Sequence, residues 1–179
     1  MWRNTPNNYG WISIVLHWLV AIAVFALFVL GLWMVELTYY DAWYQRAPAL
    51  HKGLGVLLFI IMLARLAWHL ANPRPHLSGV PWEQHAARLA HGILYLLLYA
   101  LMLSGYLIST ADGRAIDVLG FFNIPATLTG KHQEDIAGVV HRYLAYAVVA
   151  LATLHALAAL KHHFINRDPT LKRMLSTKL

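Results

Sequence analysis

The chain has 179 residues, of which 59% are hydrophobic and only 12% are charged. This composition is too apolar for a soluble domain of that size, and it indicates an integral membrane protein. The absence of cysteine excludes disulfides, iron–sulfur clusters and covalently attached c-type haem. The net charge of +6 suggests contact with acidic lipid or with nucleic acid, and the placement of the charges decides between the two.

Four apolar segments are long enough to cross a bilayer, which takes about 20 residues of helix. The first is uncharged and longer than the apolar core of a signal peptide, so we expect it to be retained. The second is the least regular, because Lys52, Arg65 and His69 lie within it. These segments predict an all-α, integral membrane four-helix bundle that forms a single domain over residues 1–179. The predicted spans are approximately Trp11–Val35, Leu50–Ala71, Ala86–Thr110 and Ile136–His162.

The connections between the spans carry the residues that end helices. Two prolines, Pro73 and Pro75, follow the second span, and proline cannot continue a helix. The third connection, about residues 111–135, contains Gly, Pro, Asp and Asn. This mixture predicts a loop or a short interfacial helix.

The charges differ between the two sides of the predicted bundle. One side, which holds both termini, carries nine basic residues against Glu83 and Asp168, whereas the other carries five basic and six acidic residues. The positive-inside rule therefore predicts that both termini are cytoplasmic. We expect the basic excess to contact anionic lipid headgroups and not nucleic acid. The nine basic residues are Arg3, Arg65, Arg74, Arg88, Lys161, Arg167, Lys172, Arg173 and Lys178.

Two histidines of the fourth span, His141 and His155, are fourteen residues apart. At about 100° per residue this step leaves a net rotation of about −40°, so both side chains project from one helix face. The rise along the axis is about 21 Å. Ionisable side chains are costly inside a membrane and by default mark function. The spacing therefore suits two stacked metal centres.

Depth in the membrane pairs these histidines with two others. His17 and His155 each lie about six residues from the cytoplasmic end of a span, and we call them the inner pair. His51 opens the second span on the far side, near the level of His141, and we call these two the outer pair. Two imidazoles at one level could clamp a planar macrocycle. The alternative is that each is a hydrogen-bonded packing residue.

The fourteen-residue step also places arginine near the inner pair. Arg65 follows His51 by fourteen residues, on the same face of the second span and at the cytoplasmic level. A buried arginine needs an anion, and a haem propionate would supply one with two oxygens. Arg142, next to His141, could serve the propionate of an outer haem in the same way.

Two glycines follow histidines by the same step. Gly31 lies fourteen residues after His17, and Gly105 lies fourteen residues after His91. Each glycine falls at the outer level, where a bulky side chain would strike a porphyrin. Ordinary helix packing through small residues is the alternative explanation.

The other histidines have less specific surroundings. His91 lies near the inner level, where the inner pair already fills two axial positions, so we expect it to touch a propionate or a quinone without binding metal. At the cytoplasmic boundary, interfacial solvation competes with a proton-handling edge of a quinone pocket formed with Arg65 and His91. The boundary histidines are His69, His162 and His163, and the predicted loop histidines are His76, His85 and His132.

Two other uses of the histidines are alternatives to haem binding. Structural zinc needs four converging ligands, and two pairs about 21 Å apart along a helix cannot supply them. A haem-free proton or metal transporter would use the histidines as a ladder. No proline interrupts the centre of a span and no acidic residue lies within one, which disfavours a transporter.

At these residues the chain resembles the bacterial cytochrome b561 family of four-helix membrane dihaem cytochromes. The C-terminal stretch is similar to the family's ending H-H-x4-D-x-T-L-x-R-M. The resemblance covers essentially the whole chain. The matching pieces are Ser13–Leu19, Leu50–Gly53, His141, Leu154–Ala156 and His162–Met174.

The resemblance implies two non-covalent b haems, each with two histidine ligands from the inner or the outer pair. It also implies a bacterial inner-membrane location and electron exchange with ubiquinone. Some members of the family oxidise superoxide on the outer side, which would make the chain a superoxide:ubiquinone oxidoreductase. The alternative is a haem-bearing membrane anchor and electron conduit for a periplasmic redox or lipid-binding partner. The outer loops are roughly neutral overall, although Lys52, Lys131, His132 and Arg142 could form a local basic funnel.

Overall fold

The structure, a computed structural model, describes residues 1–177, so Lys178 of the charge comparison lies outside it. Four helices fill most of the chain, and all four are long and apolar enough to cross a membrane. This confirms the predicted all-α four-helix membrane bundle. The helices are α1 (Trp11–Met34), α2 (Arg46–Leu70), α3 (Pro81–Ser109) and α4 (Gln133–Phe164).

Three helices begin several residues before the apolar segments that predicted them. In α3 the extra turn starts at Pro81, and proline is favoured at the first helical position because its missing N–H would have no helical partner. The carboxylate of Glu83 accepts a hydrogen bond from the backbone N–H of Val80 at 3.1 Å, which caps this turn. Polar residues can therefore extend each helix beyond the apolar segment.

The third connection contains a β-hairpin, and the alternative of a short interfacial helix is wrong. Strands β1 (Ile116–Val118) and β2 (Phe122–Ile124) pair antiparallel, with Val118 opposite Phe122. The turn places Leu119 and Gly120 at positive φ, and the Asp117 carboxylate accepts a hydrogen bond from the Gly120 N–H. Strands of three residues carry too little alternation of polar and apolar residues to be recognised in a sequence.

The chain forms two compact units, and each helix contributes one stretch to each unit. Unit 1 contains the inner pair, and unit 2 contains the outer pair. Unit 1 comprises Met1–Ala21, Ile61–Tyr95 and the chain from Ala150, and unit 2 comprises Ile22–Ile60 and Leu96–Val149.

In unit 1, the buried side chain of Asn4 holds the N-terminal segment. Its carbonyl oxygen accepts hydrogen bonds from the Gly10 N–H at 2.9 Å and from the Ser13 hydroxyl at 2.6 Å. Its amide donates to the carbonyl of Pro73 at 3.1 Å, in the segment after α2. Asn4 thus ties the N-terminal segment and the start of α1 to the segment that follows α2.

The C-terminal tail of unit 1 is held by hydrogen bonds from residues far away in sequence. The indole N–H of Trp18 in α1 donates to the carbonyl of Met174 at 2.7 Å. Arg173 donates to the carbonyl of His76 at 2.7 Å. The tail, which carries the family-like ending, is therefore docked against unit 1.

Unit 2 contains the hairpin and most of the buried apolar side chains. Val118 of β1 is fully buried, and Leu58 and Val148 are nearly so. Large apolar side chains such as Ile22 and Leu103 stay exposed on the helix surfaces. A membrane-spanning helix satisfies its own backbone hydrogen bonds and can present such side chains to lipid.

Candidate functional site

The inner pair meets within unit 1, where α1 contributes His17 and α4 contributes His155. The centroids of the two imidazole rings are 6.3 Å apart and the ring planes are inclined at 62°. Both side chains are half-buried. The structure therefore brings together the two histidines that the depth argument placed at one level.

The outer pair meets within unit 2, where α2 contributes His51 and α4 contributes His141. Their ring centroids are 6.2 Å apart and the ring planes are inclined at 75°. The Nδ1 atom of His51 is buried without a hydrogen-bond partner. A buried, unsatisfied ring nitrogen is costly unless another group occupies the site.

Both ring separations fit a metal ion held between two imidazoles. Imidazole nitrogens bind transition metals at about 2 Å, so two such bonds take up about 4 Å. The remaining distance, about 2 Å, equals the combined distance from the two ring centres to their nitrogens. His91 fails this test against His155, because their centroids are only 5.1 Å apart. The residues present thus fit a haem with two histidine ligands at each pair, and His91 instead packs edge-on against a proposed ligand.

A hydrogen bond orients the ring of His141. Its Nδ1 lies 2.9 Å from the carbonyl oxygen of Leu101 on α3. A carbonyl only accepts, so Nδ1 carries the proton and Nε2 keeps its lone pair for a metal, as in most histidine ligands. The hydroxyl of Ser104 lies 3.1 Å from the same nitrogen and donates to the same carbonyl. Sequence reasoning missed Ser104, although a hydroxyl within an apolar span, one position before Gly105, was the available signal.

Arg65 lies against the inner pair. Its guanidinium donates a hydrogen bond to Nδ1 of His17 at 3.0 Å. A guanidinium cannot accept, so the neutral imidazole of His17 carries its proton on Nε2 in this arrangement. Binding metal through Nε2 therefore requires Arg65 to release Nδ1. The guanidinium carbon also lies 5.4 Å from the ring centroid of Tyr95, and His69 stacks on that ring at 6.3 Å.

The two predicted glycines lie against the rings of the outer pair. A Cβ atom on Gly31 would stand 3.2 Å from Cε1 of His51. A Cβ atom on Gly105 would stand 3.0 Å from Cε1 of His141. Both distances are tighter than ordinary van der Waals contact. The glycines therefore leave space for the imidazoles themselves, whereas in the sequence analysis they were explained by the space that a porphyrin needs.

The remaining predicted residues have other surroundings. Arg142 is exposed and, within residues 1–177, makes no hydrogen bond or ion pair. His162 is paired with Asp168, and His163 packs edge-on against Phe164. Among the described residues, no hydrogen bond, ion pair or ring contact joins these two histidines to Arg65 or His91, so the predicted quinone cluster is not assembled by direct contacts.

The carboxylate of Asp168 holds the start of the tail. Burial raises its pKa, but hydrogen bonds from Thr170 and from His162 outweigh burial and hold the pKa below its usual value. The backbone N–H of Thr170 donates to this carboxylate at 2.9 Å. Three residues of the family-like ending therefore form one local structure at the end of α4.

Comparison with known proteins agrees with these features. Residues 8–177 match the model of the family described as prokaryotic cytochrome b561. The chain is 53% identical to cytochrome b561 homolog 2 of Escherichia coli strain K12, over 96% of this chain and 93% of that protein. It is 28% identical to the probable superoxide oxidase CybB of Yersinia pestis, over 96% and 98%. It is 30% identical to cytochrome b562 of Cereibacter sphaeroides, over 94% and 95%.

The match to the family model covers nearly the whole chain, and the four helices are long and apolar enough to cross a membrane. The chain therefore belongs to the prokaryotic cytochrome b561 family, as a multi-pass bacterial inner-membrane protein that transfers electrons across the membrane by means of b-type haem.

Proposed function

We propose that the chain is a single dihaem domain, with one b haem held by His17 and His155 and a second held by His51 and His141. The observation that carries this proposal is the ring separation of 6.3 Å in the inner pair and 6.2 Å in the outer pair. Both separations equal what a metal bound on each side by imidazole requires. Membership of the family supplies the haem, and the two pairs support the count of two.

The protein's contribution is to fix the ligands and the charges around them. Each haem, when bound, supplies an iron that gains and loses one electron. The Leu101 carbonyl holds the ring of His141 with Nε2 free for iron. Arg65 and Arg142 are the proposed cationic partners of the propionates at the inner and outer pairs. If two imidazoles held each haem, a small molecule would exchange electrons at the edge of the site and not on the metal.

We further propose that superoxide is the periplasmic electron donor and that ubiquinone is the acceptor. The relative named probable superoxide oxidase supports the donor. The exposed side chains of Lys52 and Arg142, beside the outer ligands in sequence, support attraction of an anion. Two superoxide anions each lose one electron and become dioxygen. Ubiquinone takes up both electrons together with two protons and becomes the quinol.

The protons for the quinol would come from the end of α4. His162 forms a hydrogen-bonded pair with Asp168, and an imidazole held by a carboxylate can bind a proton and pass it on. The Nδ1 atom of His163 is buried without a hydrogen-bond partner, and we propose that a small shift of this ring at the end of α4 pairs it with the quinone. We therefore place the quinone edge at His162 and His163.

The ligand assignment is tested by counting haem in single variants of the protein purified in detergent. His17→Ala and His155→Ala should each lose the inner haem, and His51→Ala and His141→Ala should each lose the outer one. The exposed His85 provides a matched control, since His85→Ala should keep two haems and the low-spin spectrum. Retention of two haems in all four ligand variants would refute the assignment.

The donor and acceptor are tested on haem-loaded protein given superoxide and a soluble ubiquinone. Quinol formation that depends on superoxide, and that falls in His163→Gln at unchanged haem content, supports the proposal. Failure of superoxide to reduce the haems, with reduction restored only by a periplasmic partner protein, would instead favour the anchor and conduit.

A further inference from the structure

The neighbours of the inner and outer pairs differ in charge, although the same helical step generates both sets. On α2, Arg65 follows the outer ligand His51 by fourteen residues and donates to His17 of the inner pair. On α1, Gly31 follows the inner ligand His17 by fourteen residues and lies against His51 of the outer pair. Equivalent positions thus hold a cation beside one pair and a glycine beside the other.

The charge of Arg65 is not neutralised by a carboxylate of its unit. Unit 1 contains two acidic residues among those described, and both are occupied elsewhere: Glu83 pairs with Lys161, and Asp168 pairs with His162. The contacts of Arg65 are the imidazole of His17 and the ring of Tyr95. The guanidinium is half-buried in a helix that spans the membrane, so salt screens its field only weakly.

The groups that contact the two rings of the outer pair are uncharged. The ring of His141 contacts the carbonyl of Leu101 and the hydroxyl of Ser104, and its Cε1 faces Gly105. The ring of His51 faces Gly31. Arg142, the proposed propionate partner at the outer pair, follows His141 in sequence. Its side chain is exposed, so counterions screen its charge more than they screen that of Arg65.

We propose that Arg65 raises the reduction potential of the haem at the inner pair above that of the haem at the outer pair, so that electrons run from the outer pair to the inner pair. The inference rests on the proposed ligation of two haems. Reduction adds one negative charge to the iron, and a nearby cation stabilises the reduced form in a medium of low dielectric constant. In the transfer, one iron loses the electron that the other gains, and no proton moves.

This effect does not depend on which atom Arg65 binds. If the guanidinium leaves Nδ1 of His17 for a propionate when haem is bound, its single positive charge stays beside the inner pair. A lysine at position 65 would keep the charge but lose the forked geometry. Substitution by glutamine removes the charge and keeps a polar side chain.

The experiment is a potentiometric titration of purified, haem-loaded protein followed by visible spectroscopy, which yields two midpoint potentials. In Arg65→Gln the higher midpoint potential should fall by at least about 59 mV. For one electron this corresponds to a tenfold change in the equilibrium constant. The lower midpoint should not move, and Arg65→Lys should lie close to the unmodified protein. Arg88→Gln is the matched control, because Arg88 is an exposed arginine of the same unit.

A second measurement keeps the inference testable if Arg65→Gln loses a haem. His51→Ala should retain the inner haem alone, and that haem should titrate at the higher of the two original midpoints. The inference is overturned if it titrates at the lower midpoint, or if Arg65→Gln moves neither midpoint or only the lower one. Failure of the ligand assignment is distinguishable, because His51→Ala would then still contain two haems.

Discussion

Substitution of Gly105 by alanine tests how closely the outer pair is packed. The added Cβ would stand 3.0 Å from Cε1 and 3.3 Å from Nδ1 of His141. The ring cannot move away freely, because its Nδ1 donates to the carbonyl of Leu101. We therefore expect Gly105→Ala to displace the imidazole and to weaken or abolish haem binding at the outer pair.

The magnitude follows from two opposing contributions. Alanine in a helix interior is favoured over glycine by about 1 kcal/mol. Forcing an extra carbon into a packed site costs about 1–3 kcal/mol. Gly105→Ala should thus change the free energy of unfolding by between about zero and 2 kcal/mol in the destabilising direction. Gly92, on the same helix, faces open space within 4 Å, so Gly92→Ala should stabilise by up to about 1 kcal/mol.

The assay combines haem content with unfolding in detergent for the two alanine variants. Gly105→Ala should lose up to one haem per chain and unfold more easily than Gly92→Ala by about 1–3 kcal/mol. Equal stability of the two variants, with two haems in each, would show that His141 can shift at no cost and would refute this reading of the glycine.

Three further predictions concern other parts of the molecule. His91→Ala should keep two haems, because a ring 5.1 Å from that of His155 leaves no space for a metal between them; loss of a haem would make His91 a ligand. Asn4→Ala should lower the free energy of unfolding by about 1–3 kcal/mol, since it leaves the buried N–H of Gly10 unpaired. The control Asn8→Ala should change it little. Equal thermal melting of the two variants in detergent would contradict this prediction. Folding lowers the pKa of Asp168, so the stabilisation that its carboxylate gives the tail is complete above the ordinary pKa of 3.8 and is lost as the pH falls through the lowered pKa. Protease cleavage within residues 165–177 should therefore rise as the pH falls below 3.8. Asp168→Asn should be cleaved readily already at pH 7.

The helices could be predicted because their signal is strong and local. An uncharged apolar segment such as the one beginning at Trp11 has no alternative in a membrane except a helix. Helix ends were predicted less well, because their positions depend on caps such as Glu83 that carry little apolar signal. The hairpin at Ile116–Ile124 could not be predicted, since pairing between two three-residue strands depends on a turn that places Leu119 at positive φ.

In the candidate site, too, the features set by helical spacing could be predicted, whereas those set by contacts between helices could not. The partnership of His17 with His155, and that of His51 with His141, followed from depth alone, because a helix converts sequence spacing into height. The hydrogen bond from His141 to Leu101 did not, since it depends on how α3 packs against α4 within unit 2. Likewise the sequence indicated that Arg65 needs an anion, but not that its guanidinium would reach the ring of His17.

One fourteen-residue helical step can place two pairs of proposed ligands alike and still give them different neighbours. Helix α4 gives one imidazole to each pair, so it treats the two levels equally. Helices α1 and α2 each give a proposed ligand to one pair and, fourteen residues later, a neighbour to the other pair. At the outer pair that neighbour is Gly31, which leaves space for the imidazole of His51. At the inner pair it is Arg65, which donates a hydrogen bond to His17. The proposed difference in potential between two haems would therefore need no extra element, because it would follow from the choice of side chain at two equivalent positions.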